Sequence, residues 1–264
     1  MTDASSVIVV GGGGALGSAV LEQLLASRRF GAVRVLVTRE VHVAMGGLDT
    51  VIAEPMHGAD ADADADADDG IAAGNAPLAT FVAHVAVVVF DRPRHANGRE
   101  LAFTRPQPEA LPTLARWLHR RGVKQLVVVM PHSPTGLPHA LQAGLASLDE
   151  HAVSALGFEH LVFVRSAQAP SGARPALWMQ RVADAMLAQF SIMVAAPQQP
   201  VRARKVAQLV AALAQQLPHS PPGTRVAPPE LVWQAAQTPE PAALVAAWLR
   251  GEALPALGAP RQRL

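Results

Sequence analysis

The sequence predicts an α/β protein built on a doubly wound, mostly parallel sheet. Three observations carry that prediction. Short β-branched runs alternate with longer stretches of helical period. Several of those runs are apolar at every position, as strands covered on both faces are. Four consecutive glycines, residues 11–14, separate the first such run from the first helical stretch. At 264 residues and half apolar, the chain is long enough to bury its own core without a disulfide or metal staple.

The elements follow in order. Residues 7–10 form the first strand, and Leu16, Val20, Leu24 and Leu25 recur at helical spacing up to Ser27. Residues 33–38 read as the second strand and 50–53 as a short third. The run FVAHVAVVVF, 81–90, is apolar enough for a central strand. A helix is expected over 111–121, with Leu111, Leu114, Ala115 and Leu118 on one side and Gly122 as its stop. Residues 124–130 read as a buried strand, 138–156 as a helix stopped by Gly157, and 160–165 as the next strand. Beyond this point the pattern weakens: helices are expected over 175–190, 203–217 and 242–250, and a strand over 224–227, among proline-rich loops.

With no repeat and no clean linker, the simplest organisation is one domain over 1–264. Its core spans 5–166, an acidic loop is inserted at 57–77, and 167–264 form a small helical and irregular cap over the sheet's carboxyl edge.

Composition removes several function classes. The chain has no cysteine, which excludes a disulfide framework, a thiolate nucleophile and an iron–sulfur site. It has no tyrosine either, so no phenol takes part in any mechanism. Residues 1–6 lack the basic region of a signal peptide, and no stretch approaches the length of a membrane span. A cytoplasmic protein is expected. The net charge of +1 hides an uneven distribution, because the run ADADADADADD, 59–69, holds six of the 21 acidic residues. Such a run repels itself and buries nothing, so it reads as a solvated loop. It lacks the glycine turn and closing glutamate of a calcium loop, and no metal site is expected. No aromatic-rich basic stretch points to nucleic acid.

The most informative stretch is SVIVVGGGGALG, 6–17. Gly12, Gly14 and Gly17 satisfy one glycine pattern, G-x-G-x-x-G, and Gly11, Gly14 and Gly17 satisfy another, G-x-x-G-x-x-G. The second begins directly after the strand at Val10 and fits without a gap. Strand, glycine turn and helix in this order form the phosphate cradle of an NAD(P)-binding Rossmann fold: the backbone turns sharply, approaches a pyrophosphate and offers it the helix N-terminus. Contacts to a nicotinamide dinucleotide are therefore expected at Gly11, Gly13, Gly14, Ala15, Leu16 and Gly17. The ribose is read at the end of the second strand, where Thr38 and Arg39 stand beside Glu40. A guanidinium suits a 2′-phosphate, so Arg39 favours NADP over NAD. Phe90 and Asp91, closing the fourth strand, complete the expected contacts.

The chain resembles the atypical short-chain dehydrogenase/reductase superfamily, in particular its Tat-interacting-protein-like and NmrA-like NAD(P)-binding members. The resemblance spans about 7–166 and rests on G11-x-x-G14-x-x-G17, on Thr38-Arg39, on VAVVVF, on RRGVKQLVVVM and on ALGFEHLVFVR. It implies a Rossmann-type sheet, NADP(H) binding, and reductase or redox-sensing activity. In that superfamily catalysis uses a serine, a tyrosine and a lysine, the lysine lowering the tyrosine pKa. A gapless count places Met130, Gln142 and Ala146 at these positions, so all three groups are replaced.

Replacement candidates lie past strand carboxyl ends: Asp91, Arg92, Arg94, His132 and Ser133. Of these His132 titrates near neutrality, but a proline-flanked histidine also reads as a solvated loop residue, and no catalytic residue is assigned. Trp117, Trp178, Trp233 and Trp248 read as core or contact residues, and Arg202, Arg204 and Lys205 as a solvated helix face. Two main functions remain open, beside a minor third reading as a scaffold that binds no nucleotide. One is an NADP(H)-binding redox sensor or regulatory protein without reductase chemistry. The other is a tyrosine-independent NADPH oxidoreductase acting on quinones, flavins or enones. A protein partner and oligomerisation are left open by the sequence.

Overall fold

The computed structural model describes residues 6–39, 46–52, 83–91, 102–130, 148–165 and 201–254. Seven strands make one parallel sheet in the order β3-β2-β1-β4-β5-β6-β7. They are β1 (Ser6–Val10), β2 (Ala32–Val37), β3 (Leu48–Ile52), β4 (Val85–Val89), β5 (Gln125–Met130), β6 (His160–Arg165) and β7 (Gly223–Ala227). Six α-helices accompany them among the described residues: α1 (Gly14–Ser27), α2 (Leu111–Arg120), α3 (Leu148–Ser154), α4 (Ala203–Gln216), α5 (Pro229–Gln237) and α6 (Ala242–Leu249). This is the doubly wound Rossmann-type arrangement.

The apolar strands are buried on both faces because alternate side chains enter two separate cores. Val7, Val9, Val35, Val87, Val129 and Val164 point to the side covered by α1 and α4. Ile8, Val10, Val88, Val128 and Phe163 point to the side covered by α2 and α3. Valine dominates since a branched side chain packs well on a pleated surface and loses little rotamer freedom there. Gly122 and Gly157 stop α2 and α3 as expected: both adopt positive φ, 81° and 79°, and the Gly122 N–H closes the helix by donating to the His119 carbonyl at 3.0 Å.

Of the last third, expected as a cap over the carboxyl edge, the described residues 201–254 form part of the sheet and its helix layer, and 167–200 lie outside the described residues. Its described part, 201–254, supplies the seventh strand and the helix α4, which packs along α1 and is buried at Val206, Leu209, Val210 and Leu213. The physical reason is exposure: without α4, the valine face of β1, β4 and β5 would stand in water, and without β7 the edge of β6 would be unpaired. Helix α5 lies where the sequence reads as a proline-rich loop. Pro229 occupies its first turn, where the missing N–H is not needed. The long strand expected over 81–90 is confined to Val85–Val89, with 81–82 outside the described residues. The third strand begins earlier than expected, at Leu48. Most of the helix expected over 138–156, the helix expected over 175–190 and the acidic loop 57–77 also lie outside the described residues, and Leu148–Ser154 is the described part of the first.

Trp117 and Trp248 are half-buried and pack against the two cores, and Trp233 is half-buried. The Arg121 guanidinium lies 5.7 Å from the Trp117 ring centroid. Among the described residues no helix is long and apolar enough to cross a membrane.

The sheet's amino end carries a buried histidine. His160, paired in register with Gln125, is 2% exposed, and Ser220 Oγ lies 3.4 Å from its Nδ1. Burial pushes its pKa below the ordinary value of 6.5; the Glu159 carboxylate opposes the shift and Arg225 adds to it. The imidazole is thus kept neutral in the fold while the unfolded chain takes up a proton. The stability this confers is fully present above about pH 6.5 and is lost as the pH falls toward the depressed value. Urea unfolding at pH 7.5 and 5.5 should show a smaller pH-dependent loss in His160→Gln than in the parent chain.

Candidate functional site

The chain runs outward from β1 in both directions, through β2 and β3 on one side and β4 to β7 on the other, so the carboxyl ends of β1 and β4 frame a crevice. In sheets of this kind that reversal point is where ligands bind. The turn 11–17, Thr38 and Arg39 after β2, and Asp91 after β4 all lie at this end of the sheet.

Backbone geometry shows which glycines the turn requires. Gly11 has φ 90°, and a Cβ there would stand 2.1 Å from the carbonyl oxygen of Val89, the last residue of β4. Gly14 has φ 76°. At Gly17 a Cβ would stand 2.0 Å from the Gly11 carbonyl oxygen. The requirement therefore recurs every third residue. At Gly12 the obstacles are side-chain atoms, Val35 Cγ2 at 2.7 Å and Leu21 Cδ1 at 2.8 Å. Gly13, with φ −80° and ψ 174°, adopts extended backbone open to any residue.

Helix α1 begins with no side chain to cap it. Gly13 is its N-cap, and the first turn holds no acidic residue. The missing acceptor comes from 75 positions away: the Leu16 N–H donates to Asp91 Oδ2 at 2.6 Å, and the Gly17 N–H reaches the same oxygen at 3.4 Å. A carboxylate at this point satisfies the Leu16 amide, which lacks an intrahelical partner, and faces the positive end of the helix dipole. An internal anion thus occupies part of the helix N-terminus that the sequence marks as a phosphate cradle.

A second internal contact covers the neighbouring part of the turn. Ala102, Phe103 and Thr104 run antiparallel to the end of β2: the Thr38 N–H donates to the Ala102 carbonyl at 2.8 Å, and the Thr104 N–H to the Leu36 carbonyl at 3.1 Å. Phe103 Cδ1 lies 3.1 Å from the position of a Cβ at Gly12, and Pro106 Cδ lies 3.4 Å from that at Gly11. Nothing in the sequence marks this strap, because the three residues are too few to show a strand period.

The remaining expected residues divide by burial. Thr38 and Arg39 are exposed, and the Thr38 hydroxyl also donates to the Ala102 carbonyl, at 3.3 Å. The Leu16, Ala15 and Phe90 side chains are buried in the two cores, so these residues reach the crevice through backbone groups only. Met130 is half-buried at the end of β5. Arg92, Arg94, His132, Ser133, Gln142, Ala146 and Trp178 lie outside the described residues. Arg202 and Arg204 are exposed, while Lys205 Nζ donates to the Thr238 carbonyl at 3.4 Å. No group of metal-ligating side chains occurs among the described residues.

One charged pair was hidden in the sequence. Glu150 stands there as one of three consecutive polar residues, yet it is 2% exposed and accepts a 2.6 Å hydrogen bond from Arg165 Nη2. Arg165 ends β6 directly beside Met130, so the pair ties α3 to the sheet's carboxyl end. The only hint available was the arginine closing an otherwise apolar strand.

No protein-family model matches the chain, and no curated protein matches it. Solved structures do. A Bacillus halodurans protein described as an NAD-dependent epimerase/dehydratase has 14% identity and a TM-score of 0.49, with 91% of this chain and 98% of that one covered. The Bordetella bronchiseptica enzyme WbmG in complex with NAD has 15% identity and a TM-score of 0.43, covering 90% and 81%. A short chain dehydrogenase family protein from Francisella tularensis has 10% identity and a TM-score of 0.39, covering 86% and 98%. The Rossmann-type assignment itself stands on the strand order and the parallel pairing.

Two predictions follow from this geometry. Gly17→Ala should lower the unfolding free energy by about 3 kcal/mol or more, since a backbone carbonyl blocks the methyl. By contrast Gly157→Ala, open but at positive φ, should cost only about 1 kcal/mol; urea unfolding of both variants checks the contrast. Arg165→Met removes the cationic partner of a buried carboxylate and should cost about 3 kcal/mol, while the double variant with Glu150→Leu should recover most of that loss.

Proposed function

We propose that this chain is an NADP(H)-binding Rossmann protein of the short-chain dehydrogenase/reductase type, a single domain that holds the dinucleotide without the tyrosine-based chemistry of that class and acts as a redox-sensing or regulatory binding protein. The observation that carries the reading is the glycine turn at the β1–β4 crevice, where Gly11 and Gly17 approach backbone carbonyls too closely for any side chain. A turn of residues without side chains suits the approach of a pyrophosphate to backbone amides and the helix N-terminus.

In this reading the amides of the turn 11–17 bind the pyrophosphate, and Arg39 meets the 2′-phosphate as an exposed cation at the end of β2. When bound, the dinucleotide supplies a hydride donor or acceptor. The chain's own contribution is binding and orientation. A proton for an alkoxide would ordinarily come from a tyrosine, and this chain has none. Met130 at the end of β5 has no group that donates a hydrogen bond to a carbonyl.

Fluorescence titration tests the reading. NADPH should bind more tightly than NADH, Gly14→Asp should abolish both, and Arg39→Ala should erase roughly tenfold or more of the preference, as loss of a charge-assisted hydrogen bond does. Bound NADPH should not be consumed across a panel of carbonyl, quinone, flavin and enone acceptors. Turnover with any of them would favour the tyrosine-independent oxidoreductase instead.

A further inference from the structure

We propose that Asp91 is an internal competitor for the dinucleotide's pyrophosphate, so that the crevice binds its ligand only as the carboxylate gives up the amide groups of Leu16 and Gly17. The inference rests on the dinucleotide-binding reading and adds to it the residue that sets its affinity.

The bond from the Leu16 N–H to Asp91 Oδ2, 2.6 Å long, is short even for a charge-assisted hydrogen bond. A single N–H at that distance from a carboxylate has no capacity left for a phosphate oxygen. The second bond, from Gly17 at 3.4 Å, is longer, so the carboxylate is centred on Leu16, within the segment that makes the phosphate cradle. A phosphate brought to these amides meets a like charge as well as an occupied donor, and like charges in a partly desolvated crevice repel strongly. Asp91 is half-buried, which limits screening by water.

Chain connectivity strengthens the point. Asp91 opens the β4–α2 connection, and the strap of Ala102, Phe103 and Thr104 belongs to that same connection. Its two described ends thus both contact the glycine turn or the strand end beside it, one through a carboxylate on the α1 amides and the other through backbone bonds to β2 and the packing of Phe103 and Pro106 on Gly12 and Gly11. The helix terminus is satisfied by this chain's own groups. Affinity for the dinucleotide is accordingly set below what the turn alone would give, and the protein responds at higher dinucleotide concentration.

The test is titration of NADPH and NADH into the full chain and into Asp91→Asn and Asp91→Ala, alongside thermal unfolding of each with and without ligand. Asn keeps an oxygen for the Leu16 N–H and removes the charge. Both variants should bind NADPH about tenfold tighter than the parent chain, the effect of removing one charged competitor for a hydrogen bond. Unliganded Asp91→Ala should melt lower than the parent, and saturating NADPH should raise its Tm by more. Equal or weaker binding by Asp91→Asn and Asp91→Ala overturns the inference and leaves the dinucleotide reading intact, the weaker case making Asp91 a ligand contact. Absence of binding to the parent and to both variants overturns the inference together with the reading it rests on.

Discussion

The structure depends on one close approach. The carbonyls of Gly11 and Val89 lie where the Cβ atoms of Gly17 and Gly11 would otherwise stand, about 2 Å away. Because of it, α1 lies directly on the turn that leaves β1, and β4 lies directly beside that turn. Those two placements bring Leu16, Val20 and Leu24 of α1 into the valine face of the sheet. They also place the residue after β4 within reach of the α1 N-terminus. The apolar core and the polar chemistry of the crevice thus share one geometric origin.

Around that point, charge and burial follow a clear division. The central strands β1, β4, β5 and β6 are apolar along their length with polar side chains only at their ends, whereas β2, β3 and β7 carry polar residues within them. At the carboxyl end, Asp91 meets helix amides and Glu150 meets Arg165, each a buried or half-buried charge with a partner. At the amino end His160 stays neutral beside Ser220. Charges so placed are affordable in the fold only while their partners remain, which makes each of them a specific rather than a general contributor to stability. The carboxyl-end pairs differ in kind. Arg165 and Glu150 satisfy one another between side chains, whereas Asp91 answers backbone amides that a phosphate could answer equally well.

Phosphate recognition uses backbone amides and glycine, which do not depend on the catalytic groups, whereas proton transfer needs a particular side chain at a particular place. The chain contains no tyrosine, so any proton transfer at the crevice would have to use another group. Retaining the glycine turn also has a structural reason apart from any ligand: α1 could not pack on the turn with a larger residue at position 17.

Much of this was legible in the sequence because it depends on local pattern. The β-branched runs, the helix stops at Gly122 and Gly157 and the three-residue glycine spacing are properties of a few neighbouring residues, and they determine strands, ends and turn wherever the chain folds. The contacts that give the crevice its character join distant residues. Asp91 with Leu16, Phe103 with Gly12, Glu150 with Arg165 and α4 with α1 are set by the order of strands in the sheet, which brings together positions that no local period relates. The sequence alone thus determined that a glycine cradle exists and that tyrosine chemistry cannot. Only the tertiary structure decided that this cradle already holds a carboxylate of its own, because an amide's partner is chosen by proximity in space.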